Sequence, residues 1–267
     1  MSSYGGDMDG LRERRAQPAD SSAETMLAGH GEPCKDAEQR TAQRTTPAPQ
    51  LLRYRNVPTA LTTAKHATRG DPMNLYIKDS AGTKQGLTLR GALRAALMYA
   101  MYARDAYQGA IWTVHGGASW MRLGDPQRTP GPLVRTLDRA LAAALAWTFT
   151  GVQLKRRTEY KTKRGAALQG ALGARMQEML SVGGLATHPA WQGRGYASAL
   201  VRVVADLADA RGAACWLVSS NVGNRAFYRA RGFEVVRTFV IGEADAAWGK
   251  PPVPIEIMVR EPRGRGE

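Results

Sequence analysis

A strand, a glycine-bearing turn and a helix in immediate succession constrain this chain more than any other feature. EMLSVGGLAT (Glu178–Thr187) reads as a strand, and Tyr196–Arg211 places Leu200, Val204 and Leu207 on one helical face, with Gly212 as the stop. Between them stands QGRG (Gln192–Gly195). Starting a helix needs no glycine, so two of them imply that something lies against the main chain. Bare amides at a helix N-terminus, together with the partial positive charge of the helix dipole, form a seat for an anion such as a pyrophosphate. Two common ways of building such a seat do not fit. The G-x-G-x-x-G dinucleotide fingerprint fails because Ser198 stands in place of the third glycine, and the triphosphate-binding loop fails for want of Gly-Lys-Ser/Thr.

The rest of the body surrounds this unit with mixed α/β material over 51–262. LLRYRNV (Leu51–Val57) reads as a first strand, and Pro58 opens a helix to about Arg69, ended by Gly70-Asp71-Pro72. Leu93, Ala96, Leu97, Ala100 and Met101 recur at helical spacing within Leu89–Tyr107. Ala106–His115 and Ala118–Leu123 form a hairpin about Gly116-Gly117, and two helices follow, Leu133–Phe149 with Leu137, Leu141 and Leu145 on one face, and Lys155–Arg175. Beyond the central helix, Ala214–Ser220 is a strand apolar enough for burial on both faces. Asn221 caps a short helix, and Phe233–Ile241 and Pro254–Glu261 are the last strands.

Residues 1–50 differ in kind. They carry six basic and eight acidic residues and almost no branched apolar ones, so a disordered tail is expected there, with a second short tail at 263–267. The remainder holds 31 basic and 15 acidic residues, which favours anionic partners. Lys155–Arg175 alone has seven basic residues against Glu159, read as a solvated helix face. Nucleic acid is not expected as a partner, because only Tyr160 offers a stacking surface there. Cys34 and Cys215 lie far apart with no C-x-x-C spacing, which excludes a disulfide framework or zinc site and leaves Cys215 a reduced, buried residue. ALAAALAW (Ala140–Trp147) falls well short of the ~20 apolar residues that span a bilayer, and the first thirty residues lack a signal-peptide core. A soluble cytoplasmic protein without membrane contact is the expectation.

Gln192-Gly193-Arg194-Gly195-Tyr196-Ala197 resembles the Q/R-x-x-G-x-G/A signature of the GNAT acyltransferases, which bind acyl-coenzyme A. The context extends the resemblance: LATHPAWQGRGY before the helix, then Trp216-Leu217-Val218-Ser219-Ser220-Asn221, Asn224, Phe227-Tyr228 and Gly232-Phe233 after it. It is firm over 176–242 and looser over 51–175, where DPMNLY (Asp71–Tyr76) and KRRTEYKTKRGAAL (Lys155–Leu168) look like the divergent N-terminal half of fungal-type members.

The resemblance implies the GNAT fold, a central mixed, mostly antiparallel sheet flanked by helices, and an acetyl-CoA-dependent N-acetyltransferase. Transfer to an amine of a small molecule would be by direct attack in a ternary complex, with no metal. Leu185, Ala186 and Thr187 would supply main-chain contacts to pantetheine and the acyl carbonyl, and the strand would splay from its neighbour there. Gly183-Gly184 suits either close approach of a ligand or a bulge. The amides of Gln192 through Ala197, including Gly193, Gly195 and Tyr196, would hold the pyrophosphate, with Arg194 on a phosphate. Asn224 would touch pantetheine, and Tyr228 would protonate the leaving thiolate. No base is assigned: Ser181 stands where some members have a glutamate, and Glu178 and His188 are only near in sequence. The acceptor pocket would draw on Asp71–Met101 and Gly242–Pro254. The unmatched base and the basic body motivate an alternative, a non-catalytic coenzyme A- or nucleic-acid-binding regulatory module.

Overall fold

Seven strands make one sheet in the order β1-β2-β3-β4-β5-β7-β6. They are β1 (Gln50–Leu51), β2 (Ile111–Val114), β3 (Ser119–Gly124), β4 (Leu180–Thr187), β5 (Cys215–Ser219), β6 (Glu234–Ile241) and β7 (Val253–Arg260). Every pairing is antiparallel except β4 with β5. The helices are α1 (Val57–Ala67), α2 (Pro72–Lys78), α3 (Leu89–Tyr107), α4 (Pro132–Trp147), α5 (Gly151–Leu172), α6 (Tyr196–Arg211) and α7 (Arg225–Arg229). The structure, a computed structural model, describes residues 46–79 and 88–264, so the tails expected at 1–50 and 263–267 lie largely outside the described residues, as does Cys34. Among the described residues, no helix is long and apolar enough to cross a membrane.

Helices cover both faces. On one, Leu200, Val201 and Val204 of α6 pack with Tyr228 of α7 on Met121, Val182, Leu217 and Met258. These α6 side chains are at most 1% exposed, and each contributes about 2 kcal/mol of apolar burial. On the other face, Ala167, Leu168 and Leu172 of α5 meet Trp216, Ile257 and Val259, while α1 lies over Trp120 and Ala186. Gly212 ends α6 in the left-handed region, as its position predicts.

Four expectations change. LLRYRNV pairs with β2 only at Gln50 and Leu51; the chain then turns at Tyr54–Asn56 and α1 begins at Val57. Leu52 and Val57 are drawn into the cluster beneath α1, which an extended strand would not allow. Asp71-Pro72 ends no helix but starts α2: the Asp71 side chain accepts from the Asn74 amide, and Pro72 occupies the first turn, where no donor is required. In β5, Trp216 and Val218 are only half-buried. In α4 only Leu145 is buried, and Leu137 is half exposed.

Candidate active site

The sheet opens between β4 and β5. The two strands pair at Leu180, Ser181 and Val182 and then part, although β5 continues against β7 as far as Ser219. A register shift in β3–β4 marks the place: Arg122 faces Gly184 but Leu123 faces Val182, so Gly183 is the extra residue of a bulge. The bulge reading of the double glycine is therefore the one that holds for Gly183, while Gly184 sits 3.4 Å under the Trp120 ring, measured from a built Cβ.

The exposed edge of β4 follows from its ladder with β3. The His188 amide donates to Ala118 carbonyl at 2.9 Å, so alternate positions, Ala186 included, turn their main-chain groups to β3. Leu185 and Thr187 turn theirs to the opening; accordingly Thr187 carbonyl accepts from Gln192 Nε2 at 3.3 Å. Of the three residues expected to offer main-chain contacts, Ala186 is directed elsewhere.

The opening leads into the glycine turn. Gly193 (φ 73°) and Gly195 (φ 77°) are both left-handed, a conformation that costs other residues about 1–2 kcal/mol. A side chain on Gly193 would meet nothing within 4 Å. Among the described residues, no hydrogen-bond acceptor faces the amides of Gly193 through Ser198, and the first turn of α6 has no acid. Six free donors at a dipole's positive end fit a pyrophosphate. Arg194 lies over the Trp191 ring, 4.5 Å from its centre, and its carbonyl accepts from Thr46 Oγ1 at 3.2 Å. A second cation, missed in the sequence, stands on the other side: Arg231 donates to Ser198 Oγ and to Phe227 carbonyl, 3.7 Å over the Phe227 ring.

Tyr228 sits among Phe227 and Phe233, 8% exposed, and its hydroxyl has no partner among the described residues. Burial pushes its pKa up to about 12, against a lesser opposing pull from Arg231, so the phenol keeps its proton at neutral pH. Asn221 caps the turn before α7 by accepting from the Gly223 amide at 2.9 Å, and Asn224 is exposed beside it.

None of the three side chains considered as a base is placed for the task. Ser181 lies before the opening, Glu178 ends a turn at the strand's start, and His188 accepts from the Ala190 amide and meets His66 at 2.6 Å. Asp71 is different. Its Oδ2 accepts from Ser220 Oγ at 2.5 Å, at the end of β5 beyond the point where β4 has left it. The Asp-Pro pair signals a helix start in sequence, but nothing there signals a partner 149 residues away.

The basic helix is not a solvated face throughout. Arg156 is 2% exposed; it pairs with Asp245 at 2.6 Å, donates to the carbonyls of Tyr76 and Asp79, and stacks 4.7 Å over the Tyr76 ring. The Tyr76 hydroxyl donates to Glu159 at 2.5 Å, and Glu159 accepts from the Gly242 amide at 3.1 Å and Lys163 at 3.0 Å. These bonds tie α2 and the β6–β7 loop to α5. Hydrogen bonds from Tyr76 and Lys163 outweigh burial and hold the Glu159 carboxyl below its ordinary pKa.

Residues 158–233 match the model of the Acetyltransferase (GNAT) family, spanning the opening, the glycine turn and Tyr228. The chain carries a GNAT domain. No curated protein matches the chain in sequence. Solved structures share the GNAT fold at low identity. A Drosophila melanogaster polyamine N-acetyltransferase that forms N-acetylagmatine superposes with a TM-score of 0.51 at 13% identity, over 80% of this chain and 99% of that one. An agmatine N-acetyltransferase gives 0.52 at 13% over 80% and 98%, and arylalkylamine N-acetyltransferase 2 from Aedes aegypti gives 0.51 at 11% over 80% and 98%. Among the described residues of the GNAT domain, no group of three or more metal-ligating side chains occurs.

Proposed function

We propose that this protein is an acetyl-CoA-dependent N-acetyltransferase acting on an amine of a small molecule within a ternary complex. The observation that carries the reading is the run of amides from Gly193 to Ser198, without an acceptor among the described residues, at the mouth of the β4–β5 opening. The thioester supplies an activated acetyl carbonyl. Gly193–Ser198 hold the diphosphate, with Arg231 and Arg194 at its rim, and Leu185 and Thr187 align the pantetheine along the free edge of β4. Tyr228, its proton retained by burial, donates to the departing sulfur. Asp71, oriented by Ser220 and the Asn74 amide, receives the proton of the incoming amine.

Calorimetry with acetyl-CoA, followed by thiol release across an amine panel, tests the reading; absence of binding ends it. In Asp71→Asn, kcat falls about 100-fold, the lower range for a general base, while acetyl-CoA affinity stays. Unchanged kcat would remove Asp71 from the scheme.

A further inference from the structure

Arg94 on α3 and Arg157 on α5 reach the same aromatic ring. Their guanidinium carbons lie 4.6 and 4.2 Å from the centre of Phe149, and both side chains are half-buried. Arg94 donates Nε to Thr148 Oγ1 at 3.1 Å and Nη2 to Thr148 carbonyl. Arg157 donates to nothing among the described residues, and the charged or polar groups acting on it are Arg94 and Tyr160, not an acid. Burial first, then the Arg94 charge, hold its pKa below the ordinary guanidinium value.

The neighbouring residue shows what the fold does when it neutralises such a charge itself. Arg156, more deeply buried still, receives Asp245, two carbonyls and a ring. Two adjacent arginines on one helix thus have opposite provisions. A desolvated cation next to a second cation is unfavourable unless an anion completes it. The phenyl ring offsets part of this by cation–π attraction, but it supplies no acceptor for the forked donors.

Tyr160 links the pair to Asp71. Tyr160 follows Arg157 by three residues on the same side of α5. It packs in the cluster that contains Met73, Tyr76 and Ile77 of α2, whose N-cap is Asp71. Burial first, then the charges of Arg164, Asp71 and Arg157, act on the Tyr160 phenol, so Arg157 and Asp71 flank one side chain. An amine whose anionic group lies a few bonds away would reach both.

We infer that Arg94 and Arg157 seat an anionic group, carboxylate or phosphate, of the acceptor, so that the acetylated amine belongs to a zwitterionic molecule. This rests on the N-acetyltransferase reading above, and it sets the chain apart from structural neighbours named for polyamine, agmatine and arylalkylamine acetylation. Arg157 is then a specificity determinant: its fork holds the anion bidentately and aims the amine at Asp71.

The experiment uses the full chain, acetyl-CoA and paired acceptors that differ by the anion: arginine against agmatine, tyrosine against tyramine, O-phosphoethanolamine against ethanolamine. The anionic member is favoured at least tenfold in kcat/KM, and the pair with the larger preference tells carboxylate from phosphate. Arg157→Gln reduces that preference about tenfold, mainly through KM, and Arg157→Lys restores part of it. Equal or better use of the non-anionic members, or an equal loss for both members in Arg157→Gln, overturns the seat while leaving N-acetyltransfer intact. Thermal shift with the same pairs reads the seat without turnover. Stabilisation by the anionic member, abolished in Arg157→Gln, supports the seat even if no acceptor is acetylated, an outcome that sinks the enzyme reading instead. No difference in shift within any pair overturns the seat.

Discussion

Around Gly193–Ser198 the wall is main chain: amides without an acceptor among the described residues, two left-handed glycines and a strand edge released by a bulge, all resting on the apolar α6. Around α2 and α5 the wall is side chain: Arg156, Asp245, Tyr76, Glu159 and Lys163 joined by hydrogen bonds, and Arg94 and Arg157 about one ring. A main-chain site is compatible with any ligand that shares one anion, whereas a side-chain site can be re-specified by a few substitutions. The first suits a common acyl carrier and the second a particular acceptor.

The comparison breaks if the buried ion pair is dispensable. Arg156→Ala leaves Asp245 and two carbonyls without their partner, and urea unfolding is expected to show a loss of about 3–5 kcal/mol. A loss under about 1 kcal/mol would show that the side-chain wall is not held by charge. The apolar support of the main-chain wall gives the next effect. Leu200→Ala, at a site with no exposure, costs about 3 kcal/mol. Leu137→Ala, half exposed on α4, costs under about 0.5 kcal/mol.

The main-chain wall itself is probed by Gly195→Asp. The left-handed φ, Thr46 Oγ1 at 3.1 Å from a built Cβ, and a carboxylate against a diphosphate all oppose it. Acetyl-CoA affinity by calorimetry should fall about 100-fold, close to 2.7 kcal/mol, with circular dichroism unchanged. Gly195→Ala shares the backbone cost and lacks the charge, so it falls between.

A gentler effect, spread over pH, arises beneath the main-chain wall. Burial raises the Cys215 thiol from 9.0 to about 12. The folded pKa is the higher one, so the unfolded chain releases the proton first. The contribution is whole below pH 9 and is lost as pH rises toward 12. Between pH 9 and 10 unfolding free energy should fall by up to about 1.4 kcal/mol per unit from this group, and Cys215→Ala should flatten that slope whatever its own stability.

The same contrast explains what could be read from the sequence. Glycines at QGRG, the bounds of α6 and the Gly212 stop are local signals, and the structure returns them at the same residues. Tyr228 was identified by resemblance, and the structure adds the burial that keeps it protonated. Ala186 was grouped with Leu185 and Thr187 because strand alternation depends on a ladder whose register was unknown. Arg156 and Arg157 looked equally solvated because their difference is made by Asp245, 89 residues from Arg156. Asp71 looked like punctuation because Ser220 comes to it only in three dimensions. Short-range turn chemistry is written where it acts; ion pairing between distant segments is not.

The single extra residue at Gly183 has a consequence for how this sheet could be lost. Side chains along a strand change sides at every step, so excising that one glycine would carry an unbroken alternation through to Thr187. Leu185 would stay opposite Met121 and Ala186 opposite Trp120, while the freed edge of β4 would run on beside β5 without the break. A one-codon deletion would then zip the sheet shut, yielding a protein that folds but has lost its β4–β5 opening.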